Sequence, residues 1–124
     1  MSDTNQIPKL TIKSGFWKSS SNNLFWIQVQ GNLVYWLGMN RKTEQYNEGS
    51  NWCHVGHGTI QNDTIVLHWS DIPIGNDNLS GHVTIQIINE CEMRVIQDSG
   101  NFGLSQWKWV SDKSHFHLAS SLTQ

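Results

Sequence analysis

Two short His-x-Thr elements are the residues best suited to chemistry in this chain. His57-Gly58-Thr59 is repeated later as His82-Val83-Thr84. An imidazole can act as a general acid or base near neutral pH, so both histidines are candidates for acid–base chemistry. The structural alternative is a pair of strand histidines beside threonine, which strands favour. Catalysis by His57, Thr59, His82 and Thr84 is therefore one of two interpretations.

Side chains that could ligate a metal are concentrated in the same region, at Cys53, His54, His57 and His68. On a strand, His54 and His57 point to opposite faces and could share an ion only if the intervening backbone formed a bulge. Otherwise a second ligand would come from His68 or His82. His115 and His117, two residues apart, could hold a divalent ion adventitiously. We predict no functional metal site and no cofactor.

Seven tryptophans are the compositional oddity of a chain of 124 residues. Most should fill a hydrophobic core. Trp26 and Trp36 differ, because each lies on the less apolar face of its strand. If they paired across a hairpin, they would form an exposed platform for a sugar ring, an apolar cofactor or a second protomer. If both faces were buried, the hairpin would lie in a homodimer contact.

The elements that position these residues read as strands. Ile65, Leu67 and Trp69 alternate with polar neighbours, and Gly31-Asn32 separates two strand-like runs as a two-residue hairpin turn does. Similar patterns predict eight strands and no helix, over residues 10–17, 24–30, 33–39, 52–60, 64–70, 82–88, 93–97 and 102–110. Turns are predicted at 61–63, 89–92 and 98–101.

Short connections between eight strands favour an all-β, antiparallel up-and-down barrel, which is either filled by side chains or holds one small ligand. Gly56 and Gly58 share a face with Trp52 and predict a bend or a close approach by a neighbouring side chain. Residues 40–51, which include Tyr46, form a long polar loop or a loop with one helical turn, and could act as a lid. That loop and residues 71–80 are expected to flank a cavity mouth.

Size and composition predict one domain over residues 1–124, with 1–9 and 111–124 loose or peripheral. The net charge of −2 includes no basic block, which argues against nucleic acid as a partner. No apolar run is long enough to span a membrane and no secretion signal is evident, so we expect a cytoplasmic protein. Cys53 and Cys91 are then expected to remain separate thiols.

Gly15-Phe16-Trp17 resembles the Gly-x-Trp of the calycins, the group that includes lipocalins, fatty-acid-binding proteins and avidins. In that group the tryptophan packs at the closed end of an eight-stranded barrel and a basic residue of the last strand lies across its indole, a part that Lys108 could play. The resemblance implies a pocket for a small, mostly apolar molecule.

The two His-x-Thr elements resemble the twin motifs of the 2H phosphoesterases, in which paired histidines face a cyclic phosphate across a cleft. That family separates its motifs by longer, helix-containing segments than the one found here. We therefore expect a non-enzymatic binding module for a small molecule or saccharide, with the phosphoesterase and the exposed-tryptophan module as alternatives. The expected ligand-binding residues are Trp26, Trp36, Tyr46, Trp52, Trp69 and Trp107.

Overall fold

The protein is a closed barrel of eight antiparallel strands. The computed structural model describes residues 10–99, 102–103 and 105–112, and no helix occurs in those ranges. The strands are β1 Gly15–Ser19, β2 Leu24–Gln30, β3 Leu33–Met39, β4 Cys53–Gln61, β5 Thr64–Asp71, β6 Ser80–Asn89, β7 Glu92–Ser99 and β8 Gln106–Ser111. Each strand pairs with the next, and β1 pairs with β8. The predicted all-β up-and-down barrel is confirmed.

Two tight turns fix the register of the central strands. Gly31 has φ 62° and Asn62 has φ 60°, the left-handed conformation that matches the twist of a two-residue hairpin. Gln30 therefore pairs with Leu33 in one hairpin, and Gln61 pairs with Thr64 in the other.

The interior is filled by the inward-facing residue of each pleat, and Trp17 and Trp107 are its largest fully buried side chains. Gly56 and Gly58 face inward on β4. A Cβ on Gly58 would collide with the carbonyl oxygen of Val66, and one on Gly56 would lie 3.2 Å from Leu67 side-chain atoms. The predicted close approach by a neighbouring side chain is confirmed at Gly56, whereas at Gly58 the neighbouring backbone makes the approach.

The first and last strands begin later than predicted. Residues 10–14 are not a strand, although Ile12 is buried in the core, because the backbone turns into the sheet at Gly15, whose φ is 132°. Before β8, the Asp98 carboxylate accepts the backbone N–H groups of Phe102 and Gly103 and holds them in a loop. Asp98 itself lies in β7 rather than in a turn.

The tryptophan of Gly-x-Trp lies in the interior, but Lys108 does not lie across it. Trp17 is fully buried and its Nε1 donates to the Lys13 carbonyl oxygen at 2.9 Å. Lys108 is exposed on the outer face, because its strand neighbours Trp107 and Trp109 point inward. The Lys13 ammonium instead lies 4.5 Å from the centre of the Trp109 ring.

A second apolar cluster lies on the outside of the barrel, where Phe16, Leu24, Met39 and Cys53 are buried and Trp26, Leu37 and Val110 pack against them. The pairing of Ile27 with Trp36, and of Trp26 with Leu37, places the two tryptophans on opposite faces of the sheet. Trp36 is only 3% exposed. The predicted platform of Trp26 and Trp36 is therefore wrong.

Cys53 and Cys91 are free thiols, as expected. Cys53 begins β4, whereas Cys91 lies in the β6–β7 turn at the other end of the barrel. Residues 1–9 and 113–124, which include His115 and His117, lie outside the described ranges, as do Gly100 and Asn101. Ser111, expected in a loose segment, belongs to β8.

The two thiols should react at very different rates. Burial raises the pKa of the Cys53 thiol and the Asp71 carboxylate raises it further, whereas Cys91 is only half-buried. We expect Ellman's reagent to modify one thiol promptly and the second only as the protein unfolds. Cys91→Ser should leave only the slow thiol, and a fast reaction in that variant would contradict the buried position of Cys53.

Candidate ligand-binding site

Four connections meet at one end of the barrel, because successive turns of an up-and-down barrel alternate between its two ends. They follow β1, β3, β5 and β7. The long loops after β3 and β5 are joined, since the Asn76 backbone N–H donates to the Asn51 carbonyl oxygen at 2.6 Å and the two side chains bond at 3.2 Å. The two loops expected at the cavity mouth therefore lie side by side.

Asn40 organises the loop between β3 and β4. Its side chain is buried; Oδ1 accepts the backbone N–H groups of Asn51 and Trp52 at 2.9 and 3.0 Å, and Nδ2 donates to two carbonyl oxygens of the same loop. This carboxamide fixes the backbone just before β4 and thereby positions Trp52 at the mouth.

A cavity of about 250 Å³ opens between these loops. Its aromatic lining consists of Phe25, Trp52, His54, Trp69 and Phe102. Its polar lining includes Ser19, Ser21, Asn23, Asp71 and Asp77. The lining is thus divided between aromatic and polar side chains, which can supply contact area and hydrogen bonds to a small molecule.

His54 lies at the centre of the aromatic lining. Its ring stacks on Trp52, with centroids 5.2 Å apart and planes 21° apart, and its Nε2 accepts the Nε1–H of Trp36 at 2.9 Å. Burial lowers the pKa of His54 to about 4, so the ring is neutral at pH 7. Because Nε2 is an acceptor, the proton of the neutral ring resides on Nδ1.

Gly38 makes room for this arrangement. It pairs with His54 across β3 and β4, and a Cβ at this position would lie 2.6 Å from both His54 Nε2 and the Phe25 ring. Any side chain here would displace the imidazole from Trp36.

Asp71 faces the same cavity from the next strand. It pairs with His54 in register and is only 7% exposed, and its Oδ2 accepts the Leu79 backbone N–H at 2.8 Å. Burial raises the pKa of Asp71, the charge of Asp77 raises it further, and the bond from Leu79 opposes both effects. Among the residues the structure describes, no cationic side chain lies within ion-pair distance of either carboxylate.

Two indole donors are left without acceptors. Trp69 and Trp107 are 2% and 1% exposed, and neither Nε1–H has a hydrogen-bond partner among the described side chains and backbone. An unsatisfied buried donor costs about 1–3 kcal/mol. Trp69 lines the cavity, whereas Trp107 lies behind the lining.

The structure separates the six predicted ligand-binding residues. Trp52 and Trp69 line the cavity. Trp107 and Trp36 lie in the core behind the lining, with ring centroids 5.2 Å apart in an edge-on contact. Tyr46 lies in the β3–β4 loop outside the lining, and Trp26 lies on the outer face.

The sequence did not single out several residues that line the cavity. The sequence pattern marks His54 only as a possible metal ligand, and it places Phe25 and Phe102 only within predicted strands. Asp71 is the first residue of the segment expected to flank the cavity mouth, but it ends β5 with its side chain inward. Strand alternation is the signal that could have identified Asp71, since it lies two residues after Trp69 and four after Leu67, which both point inward.

The two His-x-Thr elements lie on the outside of the barrel. His57 and His82 flank His68 across β4, β5 and β6. The rings of His57 and His68 stack with centroids 5.7 Å apart, and the ring of His68 meets that of His82 edge-on with centroids 4.4 Å apart. All three are exposed. The histidines therefore share one outer face of the sheet rather than opposing each other across a cleft as in the twin-motif enzymes, and Thr59 and Thr84 share that face.

Comparison with known proteins finds no matching family model, no matching curated protein and no matching solved structure. Within the described ranges, no group of three or more histidine, cysteine or acidic side chains could hold a metal ion. Over the same residues, no helix has the length and apolar character needed to cross a membrane. Fold and geometry thus define the class as a small eight-stranded barrel with an aromatic cavity at one end.

Proposed function

We propose that this protein is a non-enzymatic binding module that holds a small, mostly apolar molecule in the open end of a calycin-like barrel. The observation that carries the proposal is the cavity lined by Trp52, Trp69, His54, Phe25 and Phe102. Aromatic faces around a concave site offer an apolar contact area, while the polar groups of the lining can orient a ligand.

The dimensions of the cavity favour a small ligand. Its volume of about 250 Å³ is below the usual range of roughly 300–1,000 Å³ for drug-sized molecules. A molecule with one or two rings suits this space. Trp52 stands at the mouth as one wall, and His54 stacks against it as the next.

The calycin-like character of the proposal rests on strand order and on Trp17. The up-and-down closure from β1 to β8 is the connectivity of that group, and the buried Trp17 follows Gly15 by two residues in the first strand. The interior below the cavity is filled by Trp17, Trp36 and Trp107, so a ligand would occupy only the open end.

Native mass spectrometry of gently purified protein, followed by calorimetric titration with small aromatic compounds, tests the proposal. We expect a mass above that of the 14.2 kDa chain, or saturable binding of a one-ring or two-ring compound. Trp52→Ala should reduce the affinity at least about tenfold, and Trp26→Ala, which removes an indole from the outer face, should not. A bare chain that binds none of the compounds, or equal affinity in both variants, would overturn the proposal.

A further inference from the structure

We propose that the ligand is an organic cation, a small amine with an aromatic body, whose ammonium group lies against Asp71 and Asp77. This inference rests on the proposed function and specifies the chemical class of ligand for the same cavity.

The charges that line the cavity are of one sign. Asp71 and Asp77 both contribute to the lining, and His54 is neutral at pH 7. Of the nearby basic residues, Arg41 donates its backbone N–H to Asn23 at the rim, but its guanidinium bonds the Lys42 carbonyl oxygen. Lys18 lies on the outer face of β1. Within the described chain the two carboxylates thus lack a counter-ion, which a ligand ammonium would supply.

The aromatic lining favours the same charge. The negative face of an indole or phenyl ring attracts a cation by about 0.5–2 kcal/mol, and more when water is excluded. Phe102 contacts both Trp69 and His54, with ring centroids 5.2 and 5.3 Å apart, so several ring faces adjoin one small space. Carboxylates beside such faces would repel an anionic ligand of the same size.

A metal ion fits the cavity less well than an organic cation. Hard divalent ions need several oxygen ligands, and no group of three or more suitable side chains is found among the described residues. Aromatic rings share the lining with the carboxylates, and an amine can use ring faces and carboxylates together, whereas a metal ion cannot.

Isothermal titration calorimetry at pH 7 with four matched probes tests this inference. Tyramine carries the amine and a hydroxyl, phenethylamine lacks the hydroxyl, 4-ethylphenol lacks the amine, and 3-(4-hydroxyphenyl)propionate replaces the amine with a carboxylate. We expect tyramine to bind at least about tenfold more tightly than 4-ethylphenol, phenethylamine to bind without the hydroxyl, and the propionate to show no measurable binding.

Variants locate the charge that is responsible. Asp71→Asn and Asp77→Asn should each lower the tyramine affinity about tenfold and leave 4-ethylphenol unchanged. Asp63→Asn makes the same change of net charge in the β4–β5 turn at the far end and should alter neither. Asp77→Asn keeps the test decisive if Asp71→Asn does not fold, because Asp77 is exposed and accepts no bond like that from Leu79 to Asp71.

The outcomes separate the two proposals. If 4-ethylphenol or the propionate binds as tightly as tyramine, or if tyramine binding survives both aspartate changes, the cation inference is overturned while the binding function stands. If none of the four probes binds and the native mass is that of the bare chain, both proposals fail.

Discussion

Acidification from pH 7 to pH 4 should lower the free energy of unfolding by about 3 kcal/mol through His54 alone. Burial lowers the pKa of His54 from 6.5 to about 4 in the folded protein. As the pH falls through 6.5, the unfolded chain takes up a proton that the folded chain still excludes. Stability is therefore fully retained above pH 6.5 and lost progressively down to about pH 4, below which both states are protonated.

Denaturant unfolding at a series of pH values measures this loss. His54→Gln removes the titrating group but keeps an acceptor for Trp36, so its stability should vary less between pH 6.5 and 4 than that of the wild type. His68→Gln removes an exposed imidazole from the outer face, leaves His54 in place, and should retain the wild-type loss. If His54→Gln and wild type lost equal stability in this range, His54 would not be excluded from protonation in the fold.

Replacing Trp17 with alanine should cost about 3–5 kcal/mol of unfolding free energy. The side chain is fully buried, and its removal leaves a large cavity between β1, β2 and β8 as well as an unpartnered carbonyl oxygen on Lys13. A loss of this size is a large part of the stability of a small domain.

Trp26→Ala is the matched control for this substitution. It removes the same side chain from the next strand, where the indole is half-buried in the outer cluster rather than enclosed. Denaturant midpoints and slopes at neutral pH should show a smaller loss than that of Trp17→Ala. Equal losses would mean that the outer cluster contributes as much as the barrel interior.

The strands and their order could be predicted from the sequence, because two-residue turns and period-2 alternation are local signals. The Gly31-Asn32 turn also contained the register that places Trp36 opposite Ile27. The number of apolar residues on each face of β3 favoured the opposite, incorrect assignment of its inner face. Leu33, Tyr35, Leu37 and Met39 form the more apolar face, yet that face is outside.

An outer apolar cluster explains this error. Leu37 and Met39 are part of a group that covers the outside of β8 and of β1 to β4, so the outer face of β3 is apolar without being the core. The expected position of Lys108 is wrong for a different reason. It came from the family resemblance, whereas alternation with Trp107 and Trp109 places Lys108 on the outer face.

The composition of the cavity could not be predicted from local patterns. His54, Asp71 and Phe102 come from three different segments and meet only because the loops after β3, β5 and β7 share one end. The neutral state of His54 depends on its burial and on the space left by Gly38. These are properties of packing between strands and have no signature within one strand.

Closure of the barrel also sets how the chain can fold. Seven of the strand pairs join strands that are neighbours in sequence. The eighth joins β1 to β8, and it pairs Trp17 with Trp109 from nearly opposite ends of the described chain. Contacts of such long range form slowly, because much of the chain must be ordered before they yield any stabilisation. Until these contacts form, β1 and β8 are unpaired edge strands. At high protein concentration, we expect these edges to pair with those of another folding chain and to start aggregation.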